Sequence, residues 1–141
     1  MYIAFQKKSH TFLDKVISFV TRSEYVHCEL VSVKTSNSFY GYTSEPFVGV
    51  RSKWVKYNQD EWDIIKLPDR YCNLNNVKIF YNITKGKKYD YLGVLGFVFG
   101  NDDDKDRYFC SEWCSEALGL SNTSRITPGK LYEIVSNIRG E

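Results

Sequence analysis

The hydrophobic pattern changes period several times along the chain, and each change marks an element. "YIAF" at 2–5 is a run too short for a helix and reads as a strand. Phe12, Leu13, Val16, Ile17 and Val20 recur at helical spacing, which predicts an amphipathic helix over 10–21 with Ser9 as N-cap. "EYVHCELVSV" and "SFYGYTS" are rich in β-formers and flank a polar turn at 34–38, so they read as an antiparallel hairpin. "FVGVRSKWVKY" holds a third strand of this group, and "EWDIIKLP" a fourth, stopped by Pro68.

The second half returns to helical spacing. Leu74, Val77, Phe80 and Tyr81 share a face within 70–86, with Gly86 closing that helix. "KYDYLGVLGFVFG" is apolar and reads as a short buried helix. "YFCSEWCSEALGL" predicts a helix ended by Gly119, and "RITPGKLYEIVSN" a last one with Thr127 as N-cap and Pro128 in its first position. Strands gathered between helices indicate an α+β fold. No repeat or linker interrupts the 141 residues, a length that suits a single domain over 1–141.

Composition narrows the function classes. The chain is 43% hydrophobic and 26% charged, which is globular rather than disordered. A net charge of +2 with scattered lysines leaves no footprint for nucleic acid. The acidic run "NDDDKD" reads as a solvated loop. The apolar runs fall short of the roughly 18 residues of a membrane span, and the lysines of "MYIAFQKKSH" follow the apolar segment, the reverse of a secretory signal. The expectation is a cytoplasmic protein without integral membrane association. Its four cysteines are expected to be reduced thiols.

Chemistry concentrates at Cys110 and His27. A thiolate attacks where a thiol hardly does, and a helix N-terminus supplies the positive potential that favours the thiolate. Cys110 opens its helix, with an N–H free to meet an oxyanion. Cys114 lies one turn further in and reads as core packing. For Cys110 a buried structural thiol is the competing reading. The two histidines are His10, in the first turn of the early helix and given no role, and His27, on a strand. Alternation puts His27, Glu29 and Val31 on one face and Val26, Cys28 and Leu30 on the other. A strand holds an imidazole rigidly, and its second nitrogen needs a partner, which Glu29 on the same face or Ser44 or Thr43 on the next strand would supply. A sheet histidine satisfied by a carbonyl is the alternative.

"YVHCELV", "FYGYTSEPFVGVR", "EWDIIKLP", "KKYDYLGVLGFVF", "YFCSEWCSEALGL" and "RITPGKLYEIV" together resemble the circularly permuted branch of the NlpC-like, papain-fold cysteine hydrolases, in particular its small bacteriophage and prophage members. In that branch the histidine strand precedes the cysteine helix, as it does here. The resemblance implies a papain-like α+β fold, an antiparallel sheet packed on the cysteine helix. It implies Cys110 as nucleophile and His27 as base; larger relatives carry an acidic third member on the strand after the histidine strand, where this chain reads "FYGYTSE" with Tyr42, Thr43 or Ser44 inward and Glu45 near its end, so Glu29, with Ser44 behind it, is taken for that place. It implies no cofactor and no metal, and a peptide or other acyl substrate such as peptidoglycan fragments. Two other classes compete. A zinc site would draw on His27, Cys28, Cys110 and Cys114, although His27 and Cys28, adjacent on a strand, point to opposite faces. A non-catalytic phage-encoded binding protein on the same fold would target a host factor.

Overall fold

A computed structural model describes residues 1–7, 11–91, 106–121 and 125–139. Strands β1 (Tyr2–Gln6), β2 (His27–Lys34), β3 (Ser38–Glu45), β4 (Gly49–Lys56) and β5 (Trp62–Lys66) form one antiparallel sheet in the order β4-β3-β2-β1-β5. The N-terminal strand is therefore interior. Ile3 lies opposite both Leu30 and Ile65, and Phe5 opposite both Cys28 and Asp63. The predicted hairpin is present as β2 and β3, with Leu30 opposite Tyr42 and a register shift between Val31 and Val33.

Helix α1 (Phe12–Thr21) joins β1 to β2. Its N-cap is Thr11, not the Ser9 expected from the sequence. Thr11 Oγ1 accepts from the Asp14 N–H at 3.1 Å, and Asp14 Oδ2 accepts from the Thr11 N–H at 3.2 Å. This reciprocal box needs an acidic or amide residue three positions after the cap; Thr11 has Asp14 there, while Ser9 has Phe12. Ser9 and His10 lie outside the described residues.

Helix α2 (Leu74–Thr84) starts later than the predicted position 70. A 3-10 turn at Asp69–Tyr71 precedes it, and Asn73 Oδ1 accepts from the N–H groups of Asn75 and Asn76, which sets the start. Lys88–Tyr89, taken from sequence as the head of a helix, instead form β6, parallel to β7 (Arg107–Tyr108). A pairing between segments so far apart in sequence overrides local propensity. Gly49, at φ 84°, lets β4 approach this strand: a Cβ there would stand 2.1 Å from the Lys87 carbonyl oxygen. The rest of the expected helix and most of the acidic run, residues 92–105, lie outside the described residues.

Helix α3 (Cys110–Ala117) follows β7 at once, and Gly119 at φ 71° ends it as predicted. In α4 (Pro128–Arg139) Thr127 Oγ1 accepts from the Lys130 N–H at 3.1 Å, the cap the sequence predicts. The whole is α+β. The main core lies between α3 and the sheet face carrying Ile3, Phe5, Cys28, Leu30 and Tyr42, with Ile17, Val77, Leu131 and Val135 contributed by the other helices. The opposite face has a smaller cluster of Ala4, Val31, Phe39 and Trp62. Burying side chains of this size contributes about 1.5–3 kcal/mol each. Among the described residues no helix is long and apolar enough to cross a membrane.

One hydrogen bond pins α3 to α2 within this core. Trp113, fully buried, donates from Nε1 to Thr84 Oγ1 at 2.9 Å, and the same hydroxyl donates to the Phe80 carbonyl at 2.8 Å. Thr84→Val keeps the shape and strands the indole N–H. It is expected to lower unfolding free energy by about 1–3 kcal/mol in urea titrations; an unchanged midpoint would mean the bond contributes nothing.

Candidate active site

Two elements bring the predicted pair together. The chain enters α3 from Phe109 in extended conformation, so Cys110 is the first helical residue and its N–H has no acceptor within the helix. Glu112 closes this end: Oε2 accepts from the Phe109 N–H at 3.1 Å, and Oε1 from the Arg125 N–H at 2.9 Å. His27 is the first residue of β2, paired with Gln6, and its ring is mostly buried. The Cys110 thiol and the His27 ring lie near enough for each to shift the other's ionisation.

The second nitrogen of His27 has the partner expected on the same strand face. His27 Nε2 stands 3.1 Å from Glu29 Oε1. Thr43 and Ser44 do not take this place. Thr43 Oγ1 donates to the Cys28 carbonyl at 2.7 Å, and Ser44 Oγ is buried with no protein partner.

Sequence reasoning missed what holds Glu29. This carboxylate is 1% exposed, and Arg51 on β4 grips it with both terminal nitrogens, Nη1 to Oε2 at 2.8 Å and Nη2 to Oε1 at 2.7 Å. Arg51 Nε donates in turn to Glu45, which also binds Lys53 at 2.9 Å. Between β2 and β4 runs β3, and Gly41 is the residue that makes room: a Cβ there would lie 2.0 Å from Glu29 Oε2. A signal for this existed. A carboxylate placed mid-sheet needs a cation, and a glycine inside a strand marks a close approach.

Cys28 was also missed as a member of the site. Although it points to the α3 face while His27 belongs to the other, both reach Cys110, because His27 stands at the very end of its strand. As the alternation predicts, His27 and Cys28 point to opposite faces of β2, Cys28 into the main core and His27 toward the cleft side. Cys114 is buried as expected and donates its thiol hydrogen to the Cys28 carbonyl, S···O 3.7 Å. All four cysteines are free thiols. Among the described residues no three His, Cys, Asp or Glu side chains are placed to hold a metal ion, so the zinc quartet is not formed.

The electrostatics follow from these contacts. Burial by itself would raise the Cys110 pKa, but the Cys28 side chain, the His27 hydrogen bond and the imidazolium charge lower it from the ordinary 9.0 to about 5. Burial pushes the Cys28 thiol well up. Burial opposes a charged His27, yet its bonds to Cys110 and Glu29 raise its pKa from 6.5 to about 10. Burial likewise opposes ionisation of Glu29, and the bonds from His27 and Arg51 overcome it, lowering its pKa to about 2. These shifts favour a charged row of thiolate, imidazolium, carboxylate and guanidinium.

A cleft of about 590 Å³ opens beside this row. His27, Glu29 and Arg51 form one wall, with Leu13, Pro46, Phe47, Val55 and Trp62 among its other lining residues. Trp62 meets the His27 ring edge-on at 6.3 Å. Cys110 does not line the cleft and is itself fully buried.

Two outcomes are expected. Arg51→Met removes the cation from a buried carboxylate and should cost about 3–5 kcal/mol of stability at pH 7 in urea titrations; a loss below 1 kcal/mol would refute the clamp. The pair also sets a pH dependence. Between about pH 5 and 6.5 the unfolded chain holds the Cys110 proton that the folded one lacks, so stability rises with pH. From 6.5 to 9.0 folded His27 retains the proton that unfolded His27 has lost, and the two slopes cancel. Between 9.0 and about 10 only the His27 difference remains, and stability falls. Unfolding free energies measured across this range should show the rise between pH 5 and 6.5 in the native protein and lose it in Cys110→Ala. An equal rise in both would show that Cys110 is not ionised there.

Compared with protein-family models and with curated proteins, the chain has no significant match.

Proposed function

We propose that the protein is a thiol hydrolase of permuted, NlpC-like papain architecture, acting on peptide, isopeptide or other acyl bonds, such as those of cell-wall peptides, through an acyl-enzyme at Cys110. What carries this reading is a helix-start thiol in the electrostatic reach of an imidazole whose Nε2 stands 3.1 Å from a buried carboxylate. The order of histidine strand before cysteine helix, and the packing of that helix on an antiparallel sheet, agree with it.

In this mechanism Cys110 stands as thiolate with its proton on His27. Sulfur attacks the substrate carbonyl carbon, and the carbonyl π electrons move to oxygen, where the Cys110 N–H receives them. The tetrahedral adduct collapses, the bond to the leaving group breaks, and His27 delivers its proton to that group. Neutral His27 then takes a proton from water, hydroxide adds to the thioester, and the acid leaves as sulfur regains its negative charge. Glu29, held by Arg51, keeps the ring aimed at sulfur throughout and stabilises its charged form.

One observation favours a second reading, a non-catalytic binding protein built on the same fold. The Cys110 thiol is 0% exposed, so attack on a substrate requires the packing over it to open. Alkylation by iodoacetamide, read by intact mass and peptide mapping, separates the two. For the hydrolase, Cys110 in the folded protein is labelled with a midpoint near pH 5, and His27→Ala moves that midpoint above 7. On p-nitrophenyl acetate, Cys110→Ala abolishes turnover and His27→Ala lowers it by about 10²–10⁴-fold. Folded protein that leaves Cys110 unlabelled at every pH and hydrolyses no ester would establish the binding reading instead.

A further inference from the structure

The cleft beside the charged row borders His27 and Glu29 but not Cys110. In an acyl transfer the acyl part stays on sulfur, while the departing part must lie against the acid that protonates it. A space that touches the imidazole and not the thiol is thus on the departing side of the scissile bond.

Its lining says what it takes. Leu13 from α1, Pro46 and Phe47 from the β3–β4 turn, Val55 from β4 and Trp62 from β5 converge on it from four segments. Phe47 is 93% exposed and Trp62 is 7% exposed, so the surface runs from an open apolar rim to a buried aromatic floor. The charged residues in the lining hold partners within the chain. Arg51 binds Glu29 and Glu45, Lys53 binds Glu45, and Asp14 closes the Thr11 cap. At about 590 Å³ the space falls within the usual range of small-molecule sites, which are mostly apolar with a few placed polar groups.

We propose that this cleft is the leaving-group subsite and that it selects substrates whose departing amine or alcohol carries a large, uncharged apolar group. The assignment rests on the hydrolase reading above. The departing group would be an apolar amino-acid residue or a lipid-like alcohol; the shared chemistry is an aliphatic or aromatic body of several carbons next to the scissile heteroatom.

Alkyl acetates from ethyl to octyl test it, because the basicity of the alcohol barely changes along the series while its apolar size does. With acetate release followed by NMR, kcat/KM is expected to rise up to roughly fourfold per methylene that the cleft buries, and at least tenfold over the series. The isomeric ethyl alkanoates, with the same carbons on the acyl side, should show no such rise. Val55→Asp and, on a separate element, Leu13→Asp should each bring the octyl-to-ethyl acetate ratio of kcat/KM down to within about twofold of one. N-acetylglycine leucinamide against N-acetylglycine amide asks whether an amino-acid residue draws the same benefit as octanol. A flat alcohol series, or a rise only on the acyl side, overturns the subsite while leaving the hydrolase intact. No turnover on any ester or amide overturns both.

Discussion

A carboxylate sealed inside a β-sheet is the constraint on which the rest of the molecule depends. Glu29 sits on an interior strand at 1% exposure, where an unpaired charge would cost several kcal/mol. Two strands away, Arg51 answers it with a two-pronged bond. The glycine at 41 is what lets the side chains meet across β3, since any Cβ there would occupy the place of a carboxylate oxygen. Sheet order, register and one missing side chain thus serve a single ion pair. Buried pairs of this kind contribute little net stability, and their use here is in holding a charge at a fixed point.

That charge propagates. With Glu29 fixed and ionised, the ring of His27 is favoured as imidazolium and anchored through Nε2. The imidazolium, the Cys28 thiol and the start of α3 together favour sulfur as thiolate. The position of His27 at the extreme end of β2 permits this: one residue further in, a side chain on that face could not reach a helix packed on the other. Burial strengthens each link by lowering the dielectric and, in the same stroke, encloses the sulfur. Reactivity and access are therefore set against each other in this site. The cleft reaches as far as the imidazole, and the thiol lies just beyond it.

Much of this arrangement was legible in the sequence, and the reasons are local. Period-two alternation around "YVHCELV" gave the strand and put His27 and Glu29 on one face. The break between an extended Phe109 and "SEWCSEAL" gave the helix start at Cys110, and Thr127 with Pro128 gave the last helix. The parts that escaped are those fixed by distant pairing. Arg51 alternates like any solvent-facing strand residue, and only the order β4-β3-β2 brings it to Glu29. β6 exists because Arg107–Tyr108 lies beside it, which no window around residue 88 reveals.

The central claim is that a charged imidazole and a charged sulfur face each other at rest, with Glu29 behind them. The most direct measurement is a ¹⁵N NMR titration of the His27 ring, its signals assigned by comparison with a His10→Gln protein. The account predicts a ring that stays doubly protonated far above the ordinary 6.5, releasing its proton near pH 10. A ring that is neutral by pH 7, with both the thiol and the carboxylate in place, would contradict it.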